Sequence, residues 1–520
     1  MSMAHRVNQE LSHRKSLHPK TVAYAVRFDD QSSPETRIKF MTDGLLLREF
    51  LLDPLLKKYS IVILDEAHER SLRSDVLLGL LKRLMPLRPE LKLIIMSATL
   101  NSESFSSFFN NAPILSIHGR QHPVDLYYAP KPLDDPLDAA LVTLYQIHTQ
   151  ADPGDILVFL PGQEEIEALE KNVLAHQSDL LPHHLKILVC PLFASLPTAT
   201  QILALNPAPK GTRKFILATN IAETTLTIPG VKYVVDTGLV KVRGFLPQSG
   251  METLKTRPIS QANANQRMGR AGREFPGECY RLYTESSFTE LDKEMEPEIK
   301  RCNLASVMLL LKASGVESLG DFEFLDPPPR EAWLSALETC LVLGALDKQG
   351  QLTEMGKKMA GFPLDPVFSK VLIESEALLC TETIVRILSM LSVDPVFYSP
   401  VDKRQEAYEA RKPFINYEGD HLTLLAVFGQ FVKISGHQEA KEWCQDHFIS
   451  YRSMKQIKQI YDQLMDFCRL AKMETKKREC DSQEVVQCLL KGFFRNTAVL
   501  QPDGSYKTLI KRQVALLLFC

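Results

Sequence analysis

One unit recurs through the first half of this chain and limits what it can fold into: a short apolar run, a turn of polar or glycine residues, then a helix-like stretch. The runs Ile61–Leu64, Leu93–Met96, Ile156–Leu160, Phe215–Ala218 and Tyr233–Val235 are followed by DEAH, SAT, PGQE, TNIAETT and DTG. Strands alternating with helices build a parallel α/β sheet, and ligands bind beyond the carboxyl ends of its strands. Each of these turns therefore sits where chemistry is done. The Pro- and Tyr-rich stretch Gly119–Pro136 separates two such sets. That predicts two α/β lobes, the second ending near Tyr283.

After Pro297 the pattern changes. Leu304, Val307, Met308 and Leu311 fall on one helical face. Leu341–Leu346 with Gln351–Leu352 predict a small β-wing, and Asp365–Lys477 reads as amphipathic helix. Cys488–Cys520 alternates again, with a turn at Pro502–Gly504. A chain of 520 residues exceeds one hydrophobic core, so roughly three to five domains are expected.

Lys+Arg 61 against Asp+Glu 63 leaves a net charge of −2. This excludes a protein that coats nucleic acid by bulk charge, though not a local basic groove. No apolar run is long enough for a membrane-spanning helix, and the polar N-terminus lacks the apolar stretch of a secretory signal. The ten cysteines include no CxxC pair. They read as reduced core residues of an intracellular protein, neither zinc ligands nor disulfides.

Asp65-Glu66-Ala67-His68 follows an apolar strand. A carboxylate there can hold Mg²⁺ through water, and a neighbouring Glu can orient or deprotonate an attacking water. Alone, Asp-Glu would be a solvated acidic turn. Gln266-Arg267-Met268-Gly269-Arg270-Ala271-Gly272-Arg273 is more specific. On a helix, Arg270 and Arg273 would project from one face, two cations suited to charge developing on a transferring phosphoryl group. Thr219–Thr225 and Thr42-Asp43-Gly44 offer hydroxyls and backbone N–H groups at helix starts, where phosphate oxygens bind and where ordinary caps also sit.

In this order and spacing, DEAH, SAT, TNIAETT and QRMGRAGR resemble superfamily 2 helicases of the DEAH/RHA class. PEIKRCNLASVMLLLKASG and LTEMGKKMAGFPLDPVFSKVLI resemble the winged-helix and helical-bundle domains of that family, and GFFRNTAVLQPDGSYKTL the start of its OB-fold. The resemblance implies an α/β fold of tandem RecA-like lobes followed by those domains. The divisions it implies are a partial first lobe over 1–118, a second lobe over 119–295, a winged helix over 296–362, a helical bundle over 363–480 and an OB-fold start over 481–520. It implies an ATP-dependent (or other NTP-dependent) RNA helicase using Mg²⁺. RNA is the implied partner, with an activating protein or a ribonucleoprotein complex beside it. The implied state is a monomer that uses no membrane, in the nucleus or nucleolus with the cytoplasm as alternative.

Carried over by motif, Asp65 and Glu66 bind Mg²⁺ and position water, while His68, Ser97 and Thr99 couple the nucleotide to RNA. Gln266 contacts the attacking water or γ-phosphate, and Arg270 and Arg273 act as arginine fingers. Asp236 falls at the ribose, and Arg6 matches the arginine that stacks on adenine. The RNA path takes Arg27, Phe28, Thr42, Gly44, Thr219 and Asn220. Arg243–Ser260 matches the family's strand-separating β-hairpin.

The pattern also departs from the family. No GxxxxGK[ST] phosphate loop occurs in these residues; Gly350 through Lys358 has the wrong spacing and no hydroxyl. Leu205 stands about where the family places an aromatic against adenine. The resemblance thus predicts a chain that starts inside the first lobe and stops within the OB-fold, as a shortened isoform or an incomplete gene model would. Two functions stay open: an ATP-dependent RNA helicase, and a non-hydrolysing RNA-binding or partner-docking fragment of one.

Overall fold

The computed structural model describes residues 2–12, 20–26, 29–98, 102–117, 119, 122–177, 184–194, 196, 198–223, 227–247, 250–393, 395–400, 403–475, 478, 480–503, 505–509 and 514–515. Two compact units result. Met1–Ala98, Leu246–Met251 and Glu298–Cys520 form the first, Thr99–Phe245 and Glu252–Pro297 the second.

The second unit is built on a six-stranded sheet. Across the sheet the strands run Val124–Tyr128, Gly277–Arg281, Val231–Asp236, Asp155–Phe159, Thr212–Ala218 and Lys186–Leu192. Every neighbouring pair is parallel. The central strands are apolar on both faces. Ile156 and Val158 pack under one helical layer, Leu157 and Phe159 under the other, as a doubly covered sheet requires. Gly119–Pro136 is not merely a linker, because Val124–Tyr128 within it is the sheet's edge strand. Tyr127 stacks on Tyr280 at 5.1 Å and the Tyr128 hydroxyl accepts from Arg281 at 2.7 Å. These cross-strand partners lie about 150 residues away along the chain, beyond local pattern reading.

The first unit holds the DEAH strand, Ile61–Leu64, paired in parallel with Lys92–Ile95. Beside them, in a separate sheet, Val22–Val26 pairs with Asp29–Asp30 and Ile38–Met41. One face of the DEAH strand is buried through Val62 and Leu64, and the helix that follows, Leu72–Leu84, buries Val76, Leu77, Leu80 and Leu81. Ile61 and Ile63 are each 54% exposed and Ile94 46% on the other face.

Downstream, the expected face of Leu304, Val307, Met308 and Leu311 is buried around the helix Ala305–Ala313. The wing is reduced to one bridge, Leu346 to Leu352, because Leu341 and Val342 continue the helix Arg330–Val342. One apolar core runs from Ile299 to Leu489, and a second gathers Phe414, Phe428, Phe431 and Met454. Cys488 is helical, within Ser482–Phe493, and alternation begins only at Ala498. There Ala498–Leu500, Tyr506–Thr508 and Val514–Ala515 make a small antiparallel sheet. No helix among the described residues is long and apolar enough to cross a membrane.

Candidate active site

The DEAH turn is held in a conformation its residues disfavour. Glu66 (φ 52°) and Arg70 (φ 48°) both lie in the left-handed region, at about 1–2 kcal/mol each for residues with a Cβ. The Asp65 carboxylate accepts the Glu66 N–H at 2.9 Å. The Ala67 N–H donates to the Met96 carbonyl at 3.0 Å, stitching the turn to the end of the neighbouring strand. Arg70 fixes the far side. Its guanidinium forks onto buried Asp75 at 2.8 and 3.1 Å and donates to Asp326 at 2.7 Å, where Lys300 adds a second cation at 2.8 Å. The Arg70 carbonyl accepts from the Glu298 N–H, and the Glu298 carboxylate accepts from the Leu72 N–H at 2.9 Å. Glu298 and Asp326, well beyond the α/β region, thus set the turn.

The turn leaves Asp65 exposed and Glu66 half-buried at the strand's carboxyl end. His68 is turned inward, its side chain 5% exposed. Its Nδ1 accepts the Ala98 N–H at 3.2 Å, which puts the ring proton on Nε2, 3.5 Å from the Glu66 carboxylate. Ser97 is exposed on the same SAT turn. One imidazole therefore lies between the SAT turn, to which it is hydrogen-bonded, and the Glu66 carboxylate.

The second unit carries the arginine motif. Ser260 caps the helix Gln261–Met268 by accepting the Asn263 N–H at 3.2 Å. The helix ends at Gly269, before either proposed finger, so Arg270 and Arg273 do not share a helical face. Arg270 N–H reaches Arg267 O and Ala271 N–H reaches Met268 O, a tightened last turn. Arg270 is buried and Arg273 exposed, donating to the Thr227 hydroxyl at 2.8 Å. Gly272 makes this geometry possible: a Cβ there would lie 2.6 Å from the His122 carbonyl oxygen.

Arg267, which sequence reasoning passed over, is the pivot. It is fully buried, with 2.7 Å bonds to Glu223 and Asp236, a third to the Leu239 carbonyl at 3.2 Å, and Phe159 beneath its plane at 4.8 Å. Burial alone would lower its pKa, but Glu223 and then Asp236 outweigh that and hold it above the ordinary arginine value. Glu223 also accepts from Asn263 at 2.9 Å, so the TNIAETT segment buttresses the helix that presents the arginines.

The chain matches the family described as the helicase conserved C-terminal domain over residues 139–274. It also matches the helicase-associated (HA2) winged-helix family over 341–364 and the HA2 ratchet-like family over 365–424. It is 48% identical to the human ATP-dependent RNA helicase DHX33, an alignment covering 98% of this chain and 72% of that protein. With the mouse DHX33 the identity is 46%, covering 98% and 73%. The chain belongs to the DEAH-box family of ATP-dependent RNA helicases. The Schizosaccharomyces pombe pre-mRNA-splicing factor ATP-dependent RNA helicase prp22 is 46% identical, covering 98% of this chain and 43% of that protein.

Within this helicase the remaining residues fall as follows. Gln266 is half-buried on the last turn of the arginine helix. Arg6 is exposed on the helix Ser2–Ser12 and pairs with Glu10 at 3.0 Å. Asp236 is fully buried, one oxygen engaged by Arg267 and Gly238 N–H, the other by the Tyr283 hydroxyl at 2.9 Å. Thr42 precedes the helix Asp43–Leu52 and Thr219 the short helix Asn220–Ala222; neither hydroxyl caps its helix. Gly44 opens onto the Arg73 guanidinium, 2.9 Å from where a Cβ would stand. Arg27, Phe28 and Thr99 lie outside the described residues, as do Gln248 and Ser249 of the hairpin turn. The hairpin itself forms, from Leu239–Leu246 and Met251–Pro258.

Proposed function

We propose that this helicase couples ATP hydrolysis to movement along RNA through residues in its two motif turns. Asp65, exposed and offering a hard oxygen ligand, together with Glu66 suits Mg²⁺, which takes few carboxylates and keeps its waters. Bound there, the ion would supply charge neutralisation at the phosphate oxygens. Glu66 orients the attacking water and Gln266 assists it. Arg270 and Arg273 offset charge on the transferring group. The bond from Ala98 to His68 carries this reading. A shift of the SAT turn moves the imidazole beside Glu66, so a strand-end movement reaches the water-orienting carboxylate.

Arg6 stacks on the base. The burial of Asp236 favours a role in holding Arg267 over direct contact with a ribose. RNA backbone is gripped by Arg27, Phe28, Thr42, Gly44, Thr219 and Asn220, and the divisions at 118, 295, 362 and 480 separate the working parts. The family resemblance favours work on ribosomal RNA or pre-mRNA in the nucleus or nucleolus, and the prp22 relative, a pre-mRNA-splicing factor, supports the second substrate.

The 520 residues contain no GxxxxGK[ST] loop. This favours a second reading for the polypeptide on its own: RNA binding or partner docking without turnover. Phosphate release with and without RNA separates the two. The 520-residue chain should turn over little ATP, and joining it to a phosphate-loop segment should restore RNA-stimulated hydrolysis. Glu66→Gln should then abolish turnover, and Arg270→Ala or Arg273→Ala should lower it on the order of a hundredfold. Restored turnover indifferent to all three changes would overturn the assignment.

A further inference from the structure

Three cysteines that share no sequence motif converge in the first unit. Cys380 precedes the helix Thr381–Leu391, Cys480 precedes the helix Ser482–Phe493, and Cys488 lies inside the latter. Cys380 Sγ, Cys480 Sγ and a carboxylate oxygen of Glu484 all lie within 4.8 Å of one another. Cys488 follows Glu484 by one helical turn, on the same face. Cys380 and Cys488 are buried, whereas Cys480 is half-buried and gives access from solvent.

We propose that Cys380, Cys480 and Glu484 form a site for a thiophilic divalent cation of the zinc class, with water in the fourth position. The donor set decides the class. Two sulfurs and one carboxylate, with water completing a tetrahedron, suit a borderline-soft ion, while Mg²⁺ and Ca²⁺ need more oxygen ligands than this cluster offers. Without a metal the thiols are poorly solvated. Cys480 makes only long contacts, with the Thr383 hydroxyl at 3.6 Å and the Leu379 and Arg478 carbonyls at 3.7 Å. Glu484 is held toward the thiols by Arg478 at 2.8 Å and by the Asp481 N–H at 3.1 Å, the outer support that orients a ligand. Each thiol that ligates releases its proton to solvent, and affinity rises with pH. The bound ion would tie together two helix starts separated by 100 residues of chain.

The full 520-residue chain, reduced and stripped of metal, is titrated with Zn²⁺ against a chromophoric chelator and separately with Co²⁺. One Zn²⁺ per chain is expected, with a thiolate-to-cobalt charge-transfer band. Cys480→Ser should weaken Zn²⁺ on the order of a hundredfold and diminish the band. Cys302→Ser, outside the cluster, should change neither. Cys480→Ser combined with Glu484→Gln provides the second test, because both positions are partly solvent-facing. Stoichiometric Zn²⁺ binding that survives the double variant would overturn the assignment. So would a wild-type chain that, kept reduced, takes no Zn²⁺.

Discussion

At the residue scale, Gly272 shows how a motif position can be steric and not chemical. Its carbonyl accepts from His122 N–H at 2.9 Å while the space for a Cβ is filled by the His122 carbonyl oxygen. Backbone cannot swing aside as a side chain can. Gly272→Ala should destabilise the second unit by about 1–3 kcal/mol and lower its melting temperature by several degrees, read by thermal denaturation. Gly361→Ala, where a Cβ meets nothing within 4 Å, is the control and should be close to neutral. His148 supplies a pH handle in the same unit. Its pKa is lowered to about 4 by burial first, then by Arg213 and His184. The unfolded chain then takes up this proton near the ordinary value of 6.5 while the folded chain resists. Stability is fully present above about pH 6.5 and lost as pH falls toward 4, by at most about 1.4 kcal/mol per pH unit. Denaturant midpoints at stepped pH should show that slope in the wild type and a shallower one in His148→Phe.

Among the elements, the hairpin Leu239–Leu246/Met251–Pro258 joins chemistry to mechanics. Its first strand offers the Leu239 carbonyl to Arg267, and its second leads through Ser260 into the arginine helix. The outer strand is exposed for most of its length, which suits an edge that meets a nucleic acid. In a hydrolysing form of the protein, shortening the turn around Gly250 should impair unwinding while leaving RNA-stimulated phosphate release within a few-fold. Equal loss of both would mean that the hairpin serves the arginine helix and not strand separation. The elements also mark where sequence reading stopped. DEAH and QRMGRAGR were legible because their chemistry is local: a strand end with two carboxylates, and arginines among glycines. The sharing of one helix face by Arg270 and Arg273 was misread, because Gly269 ends the helix and no periodicity announces a tightened last turn. Asp236 was expected at a ribose, and its pairing with Arg267 and Glu223 escaped notice because a buried charge is recognised by its partners, which lie 31 and 44 residues away. The Cys380–Cys480 convergence is longer-range still and carries no spacing signal.

For the whole molecule, a net charge of −2 means that any grip on RNA comes from patches and not from bulk attraction. Binding of two unrelated single strands should differ by only a few-fold and weaken at least tenfold between low and high salt, because phosphate contacts release counterions. A flat salt response with strong preference for one strand would contradict backbone recognition. The tie between Arg70 and Asp326 has a different reach. These partners are 256 residues apart, and ribosomes add roughly 5–20 residues per second. The acidic turn therefore emerges about 13–50 s before the carboxylate that completes its anchor. During translation it is an unfinished element, open to chaperones and proteases, and codon choice between the two positions sets the length of that exposure.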